Sequence, residues 1–153
     1  MGNPRMMLSN GSFSQYLYCD HEGWEKVDLN GIKAKVIRNI SDKNGFHTSL
    51  PLAAGTSSLY LRLDKWGNPV QARLYVNRYS SIDFDWGHSH YNNPNKGGDG
   101  NVFNKGVVHI QEYKIKSDGT VERISFNARL ASDSEIKKYG EILKAFDPKI
   151  KFR

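Results

Sequence analysis

A chain of 153 residues with a net charge of +6 and a pI near 9.4 has the length of one domain and a surface that favours phosphate-bearing partners. With 38% hydrophobic, 12% aromatic and 25% charged residues, wholesale disorder is not expected, and the core should rest on aromatic and β-branched side chains. Cys19 is the single cysteine, which excludes an internal disulfide framework and any multi-cysteine zinc site.

Met1 to Asn10 lacks the apolar core of a signal peptide, and no apolar run approaches the roughly 20 residues that span a bilayer. No membrane partner is expected. A lone cysteine suits a reducing cytosol, so the expected location is cytoplasmic, with delivery into a target cell as part of a longer protein as the alternative. Residues 1–30 commit to neither helix nor strand, since Phe13, Tyr16 and Leu17 have helical spacing while Tyr16 and Tyr18 alternate. Ile32 to Arg38 alternates apolar and basic residues and predicts a half-buried strand, followed by an Asn44-Gly45 turn. Ser57 to Leu63 alternates again, with Leu59, Leu61 and Leu63 opposite Tyr60 and Arg62. Asp64 to Pro69 is a turn, Val70 to Arg78 the returning strand of a hairpin, and Ser81 to Trp86 a third strand. Gly87 to Gly106, rich in Asn and Gly, predicts a long irregular loop. Val107 to Ile115 and Val121 to Phe126 are strands joined by the turn Ser117-Asp118-Gly119-Thr120. Ser132 to Glu135 has the form of a capping box, and Ile136, Tyr139, Leu143 and Phe146 continue at helical spacing to a stop before Pro148. The expectation is one α+β domain over 1–153. Residues 1–30 form an extension of undecided structure, 31–131 a mainly antiparallel twisted sheet, and 132–147 a C-terminal helix.

Four titratable groups fall within the eight residues Asp83-Phe84-Asp85-Trp86-Gly87-His88-Ser89-His90. Strand alternation puts Asp83 and Asp85 on one face. His109 lies on a later strand and meets His88 or His90 if the two strands pair. Two neighbouring histidines suit RNA cleavage, one taking the 2′-hydroxyl proton and the other protonating the departing 5′-oxygen. Lys105, Arg73, Arg78 and Arg123 are the candidate cations for the phosphate, with Asp85 beside them. The plainer readings are loop histidines at 88 and 90, a core histidine at 109, and aspartates that cap a turn or pair with lysine. His21 and His47 sit in turn-like contexts with no assigned role. Asp85, His88, His90 and His109 also have the ligand types of a transition-metal site, although the helical zinc-protease motif is absent. No metal or other cofactor is required by the leading reading. A nucleophile elbow and a phosphate-cradling Gly-rich loop are both missing, and Gly97-Gly98-Asp99-Gly100 has the character of a flexible loop.

The run from Asp64 to Pro69, the Ile82-Asp83-Phe84-Asp85-Trp86-Gly87-His88 strand and the later Val107-Val108-His109-Ile110 strand resemble the barnase–EndoU–colicin–RelE-like nucleases of prophages and polymorphic toxin systems. The likeness covers Leu59 to Tyr113. It implies a compact sheet packed on helices, RNA lying across the sheet, metal-independent ribonuclease activity of a toxin, and an immunity or antitoxin partner. Carried over by position, His88 and His109 match best, with His90 an alternate for the first. Members often show His-x-His on the later strand. Gln111 stands at the second of those positions here, which shifts the second histidine's role to His88 or His90. The leading expectation is therefore an RNA-cleaving hydrolase. A non-catalytic phage or mobile-element domain that binds nucleic acid or protein is the alternative, and a metal-dependent hydrolase the third reading.

Overall fold

A computed structural model describes residues 59–153 apart from 65, 67 and 78, together with the backbone of four earlier strands. These are β1 (Met6–Met7), β2 (Phe13–Ser14), β3 (Trp24–Leu29) and β4 (Ile32–Ile37). The expected Asn44-Gly45 turn and the candidate cation Arg78 lie outside the described residues. The chain continues through β5 (Leu59–Leu63), β6 (Pro69–Val76), β7 (Tyr79–Asp85), β8 (His90–Tyr91), β9 (Val102–Phe103), β10 (His109–Ile115), β11 (Val121–Arg123), β12 (Arg129–Leu130) and α1 (Asp133–Phe146).

Eight strands make one sheet in the order β11-β10-β7-β6-β5-β4-β3, with β12 beside β10. Its pairs are antiparallel except the parallel β4–β5 step. The protein is thus α+β, a mainly antiparallel sheet with one C-terminal helix. Residues 1–30, undecided from sequence, contribute β1, β2 and the sheet-edge strand β3.

Alternation along the central strands sorts side chains onto two faces. Leu59, Leu61, Ala72, Phe84 and Ile110 go to one face, where Tyr139, Ile142 and Leu143 of α1 cover them. Removing a fully buried leucine such as Leu143 costs about 2–5 kcal/mol in such a core. Trp86 follows β7 and joins this layer, its Nε1 donating to Pro69 O (3.1 Å) and Asp147 Oδ2 (3.0 Å). The capping box forms as its residues predict: Glu135 N donates to Ser132 Oγ (3.2 Å), and Ser132 N donates to Glu135 Oε1 (2.8 Å). Glu135 also holds Arg129 of β12 at 2.7 Å, tying the helix start to the sheet. In the turn at 64–69, Asp64 Oδ1 accepts from Trp66 N and Asn68 N, both at 2.9 Å. No helix among the described residues is long and apolar enough to cross a membrane.

The span from Gly87 to Gly106 departs from the expected irregular loop. It folds as a small antiparallel hairpin of β8 and β9, with a 3-10 turn at Pro94–Lys96 between them. Asn92 is the reason. Its side chain is fully buried: Nδ2 donates to Ala128 O (2.9 Å) and Asp99 Oδ1 (3.1 Å), and Oδ1 accepts from Ala128 N (2.9 Å). These bonds replace the apolar contacts that usually hold a long connection down. Gly98 is required there, because a Cβ would lie 2.4 Å from the Asn92 carbonyl. Gly87 is required at the other end, where a Cβ would lie 2.4 Å from Val70 Cβ.

Candidate active site

The face of the sheet opposite α1 carries polar groups in two rows, set by strand register, and most of them are buried. One row runs Arg62, Gln71, Asp85, His109 across β5, β6, β7 and β10. The next runs Tyr60, Arg73, Asp83, Gln111. Above them opens a cleft of about 260 Å3 whose walls include Arg62, Asp85, His88, His90, Tyr113 and Arg123. A larger cavity of about 530 Å3, lined by Phe103, Val107, Arg129 and Leu130 among others, has no histidine among its described lining residues.

In the second row the charges are closed on one another. Arg73 donates from Nε to Asp83 Oδ1 and from Nη2 to Asp83 Oδ2 (2.7 Å), and Tyr113 Oη donates to Asp83 Oδ2 (2.8 Å). Arg73 and Asp83 are both buried. Burial works against the Arg73 cation, but Asp83 raises its pKa above the usual arginine value. Burial, reinforced by the Asp83 charge, pushes the Tyr113 hydroxyl up to about 12.

The first row meets the histidines. His109 is fully buried, stacked 5.2 Å from His90 and 5.6 Å from Phe103, and edge-on to His88 at 5.5 Å. Its Nδ1 lies 3.4 Å from the Val107 carbonyl, which can only accept, so the proton of the neutral ring sits there. Among the described residues Nε2 has no hydrogen-bond partner, and neither has Asp85 Oδ1; both atoms are buried. Burial pulls the His109 pKa below the usual histidine value, outweighing the attraction of Asp85.

His88 is the opposite case. Its side chain is 59% exposed, its Nε2 lies 3.2 Å from Asp85 Oδ2 and its Nδ1 2.7 Å from Ser89 O. Both nitrogens face acceptors, which the doubly protonated ring satisfies. The Asp85 hydrogen bond, against partial burial, pushes its pKa up to about 9. Burial would raise the Asp85 carboxyl, but the His88 bond and charge hold it below the ordinary aspartate value.

His90 is oriented by Asn92. His90 Nε2 lies 3.0 Å from Asn92 Oδ1. Because the Asn92 amide pairs with both backbone groups of Ala128, its oxygen is fixed as the acceptor. The ring must then donate from Nε2, which leaves Nδ1 as the basic nitrogen of the neutral form.

Of the residues singled out in the sequence, His88, His90, Arg73, Arg123 and Asp85 line one cleft, and His109 lies directly beneath its two histidines. Arg73 has its Nε and Nη2 engaged by Asp83. Lys105 is exposed just before β10 and is not among the residues lining the cleft. Three residues were missed: Arg62, Tyr113 and Asn92. Strand parity places Arg62 opposite Leu61 and Tyr113 on the side of His109, so both were open to discovery. Asn92 carried no signal, because an asparagine in a Gly- and Asn-rich stretch has the look of any turn residue. Of the four residues with metal-ligand chemistry, Asp85, His88 and His109 each place a ligand atom within 4.8 Å of the others. No family model, curated protein or solved structure matches the chain.

Proposed function

We propose that the protein is a metal-independent ribonuclease that cleaves RNA by attack of the 2′-hydroxyl on the adjacent phosphate. The observation that carries this reading is the convergence of three imidazoles, with His88 and His90 6.5 Å apart on the wall of a cleft that includes guanidinium groups and His109 packed against both. A phosphate seated across the two rings would turn its attacking and leaving oxygens toward different histidines. His90, oriented through Asn92, takes the 2′-hydroxyl proton on Nδ1 as the new P–O2′ bond forms. His88, kept protonated at rest by Asp85 and exposed enough for its ring to turn from that carboxylate, gives the Nε2 proton to the 5′-oxygen as the P–O5′ bond breaks. The products are a 2′,3′-cyclic phosphate and a 5′-hydroxyl. Arg62, whose Nε donates to Gln71 Oε1 (2.9 Å), and the exposed Arg123 supply positive charge for the phosphate oxygens. His109 is a positioning residue, a neutral ring under both catalytic histidines.

Such an activity is toxic wherever cellular RNA is met. The reading therefore extends to a toxin-like protein acting in a cytoplasm, neutralised by an immunity or antitoxin protein that occludes the cleft. Incubation of purified protein with total RNA in EDTA tests it. Cleavage is expected, and His88→Ala or His90→Ala should lower its rate by about 10²–10⁴. RNA binding without cleavage would replace this reading with a binding domain, and cleavage only after metal addition with a metal-dependent hydrolase.

A further inference from the structure

We propose that Asp85, His88 and His109 form a site for a divalent transition ion of the zinc type, and that its occupation switches the ribonuclease off. The inhibitory half rests on the function proposed above; the binding half does not. The three residues offer two imidazole nitrogens and one carboxylate oxygen, ligand types suited to zinc, cobalt or copper ions. Their ligand atoms lie within 4.8 Å of one another, whereas two ligands on one zinc ion, each about 2.0–2.2 Å from it, lie about 4 Å apart or less. A shift of less than an ångström per group, well below about one bond length, closes that gap. The exposed His88, beyond the end of β7, can supply most of it.

The second observation is independent of the spacing. Two of these ligand residues each carry a buried polar atom with no hydrogen bond to any described residue: Asp85 Oδ1 and His109 Nε2. Unsatisfied buried groups are costly, and native structures seldom keep them without a use. A cation coordinated by both would satisfy both. His109 is also prepared as a ligand. The Val107 carbonyl receives its Nδ1 proton, which fixes the tautomer and leaves Nε2 as the donor pair. Asp85 and His109 are directly paired across β7 and β10, so the sheet holds two of the three ligands in place. Three protein ligands leave a further position for water or a phosphate oxygen.

An ion on His88 Nε2 occupies the atom that must deliver the proton to the leaving oxygen, so cleavage stops. His90 stays outside the ligand group, with its Nε2 bonded to Asn92 Oδ1. The two roles can therefore be separated by substitution.

The test titrates the full chain with zinc by calorimetry and with cobalt(II) by visible absorption, alongside cleavage assays. One ion per chain is expected for wild type. His88→Ala and Asp85→Asn should each weaken binding by about 100-fold or more, beyond the usual loss from an outer-shell partner. His88 is exposed, so its variant should fold, and circular dichroism checks both. His90→Ala should bind the ion as wild type does while losing cleavage. Free zinc at about ten times its measured Kd should lower wild-type cleavage about 10-fold, with recovery in EDTA, as occupancy of a single site requires. Absence of the cobalt signal in wild type, or an undiminished signal in His88→Ala, overturns the site. Stimulation by zinc overturns the switch. If wild type binds cobalt yet cleaves no RNA in EDTA, the ribonuclease reading and its switch fall and the ion site stands.

Discussion

Asp83 and Asp85 stand two residues apart on the same strand and the same face, yet their surroundings differ in kind. Asp83 is fully engaged by the Arg73 guanidinium and the Tyr113 hydroxyl. Asp85 is engaged on one oxygen by the exposed His88, while its other oxygen and the neighbouring His109 Nε2 are buried with no partner among the described residues. A closed polar network holds the sheet face in register; an open one keeps atoms available for chemistry. On the ribonuclease reading proposed above, the two rows of one sheet divide the labour between structure and reaction.

The largest effect expected from this contrast is on stability. Asp83→Ala leaves the buried Arg73 without its counter-charge and should cost about 3–5 kcal/mol in urea unfolding. Asp85→Asn loses a pairing with an exposed histidine and should cost within about 1 kcal/mol. Equal losses would erase the distinction between the rows. Activity should invert the order: His90→Ala, nearly silent in unfolding, should lower RNA cleavage by about 10²–10⁴.

A smaller effect concerns pH, measured on metal-free protein. The folded pKa of His109 lies below that of the unfolded chain, near 6.5, so the folded form resists a proton that the unfolded form accepts. Stability should therefore decline as pH falls below about 6.5, and His109→Gln should remove that decline. His88 acts in the opposite sense. Its folded pKa is raised to about 9, so its contribution is complete below about 6.5 and is lost as pH rises through 9. A urea midpoint whose pH dependence is unchanged by His109→Gln and by His88→Ala would contradict the assigned protonation states. The smallest effect expected is on RNA affinity, where Arg123→Ala should flatten the salt dependence by about 0.7 in log–log slope if it meets one phosphate.

Local signals were legible where local chemistry decides. Ser132 and Glu135 announce the helix start because a capping box needs only four residues, and Leu59 to Leu63 reveals its faces by alternation. The cluster of titratable residue types in 83–109, whose use in acid–base work belongs to the proposed function, was legible in the sequence. The meeting of His109 with His88 and His90 was not, since it depends on β10 choosing β7 as its neighbour across a long connection. That connection looked irregular because its anchor, Asn92, works through bonds to Ala128, a residue far along the chain. Lys105 was singled out by nearness in sequence, but it lies at the exposed end of the connection; Arg62 reaches the cleft through its register opposite Gln71.

The chemical ends left on RNA test the division most directly. Digestion in EDTA by wild-type protein should yield fragments ending in 2′,3′-cyclic phosphate followed by 5′-hydroxyl, and His90→Ala should yield almost none. Fragments bearing 5′-phosphate, or cleavage unchanged in His90→Ala, would contradict the assignment of the open row to acid–base catalysis.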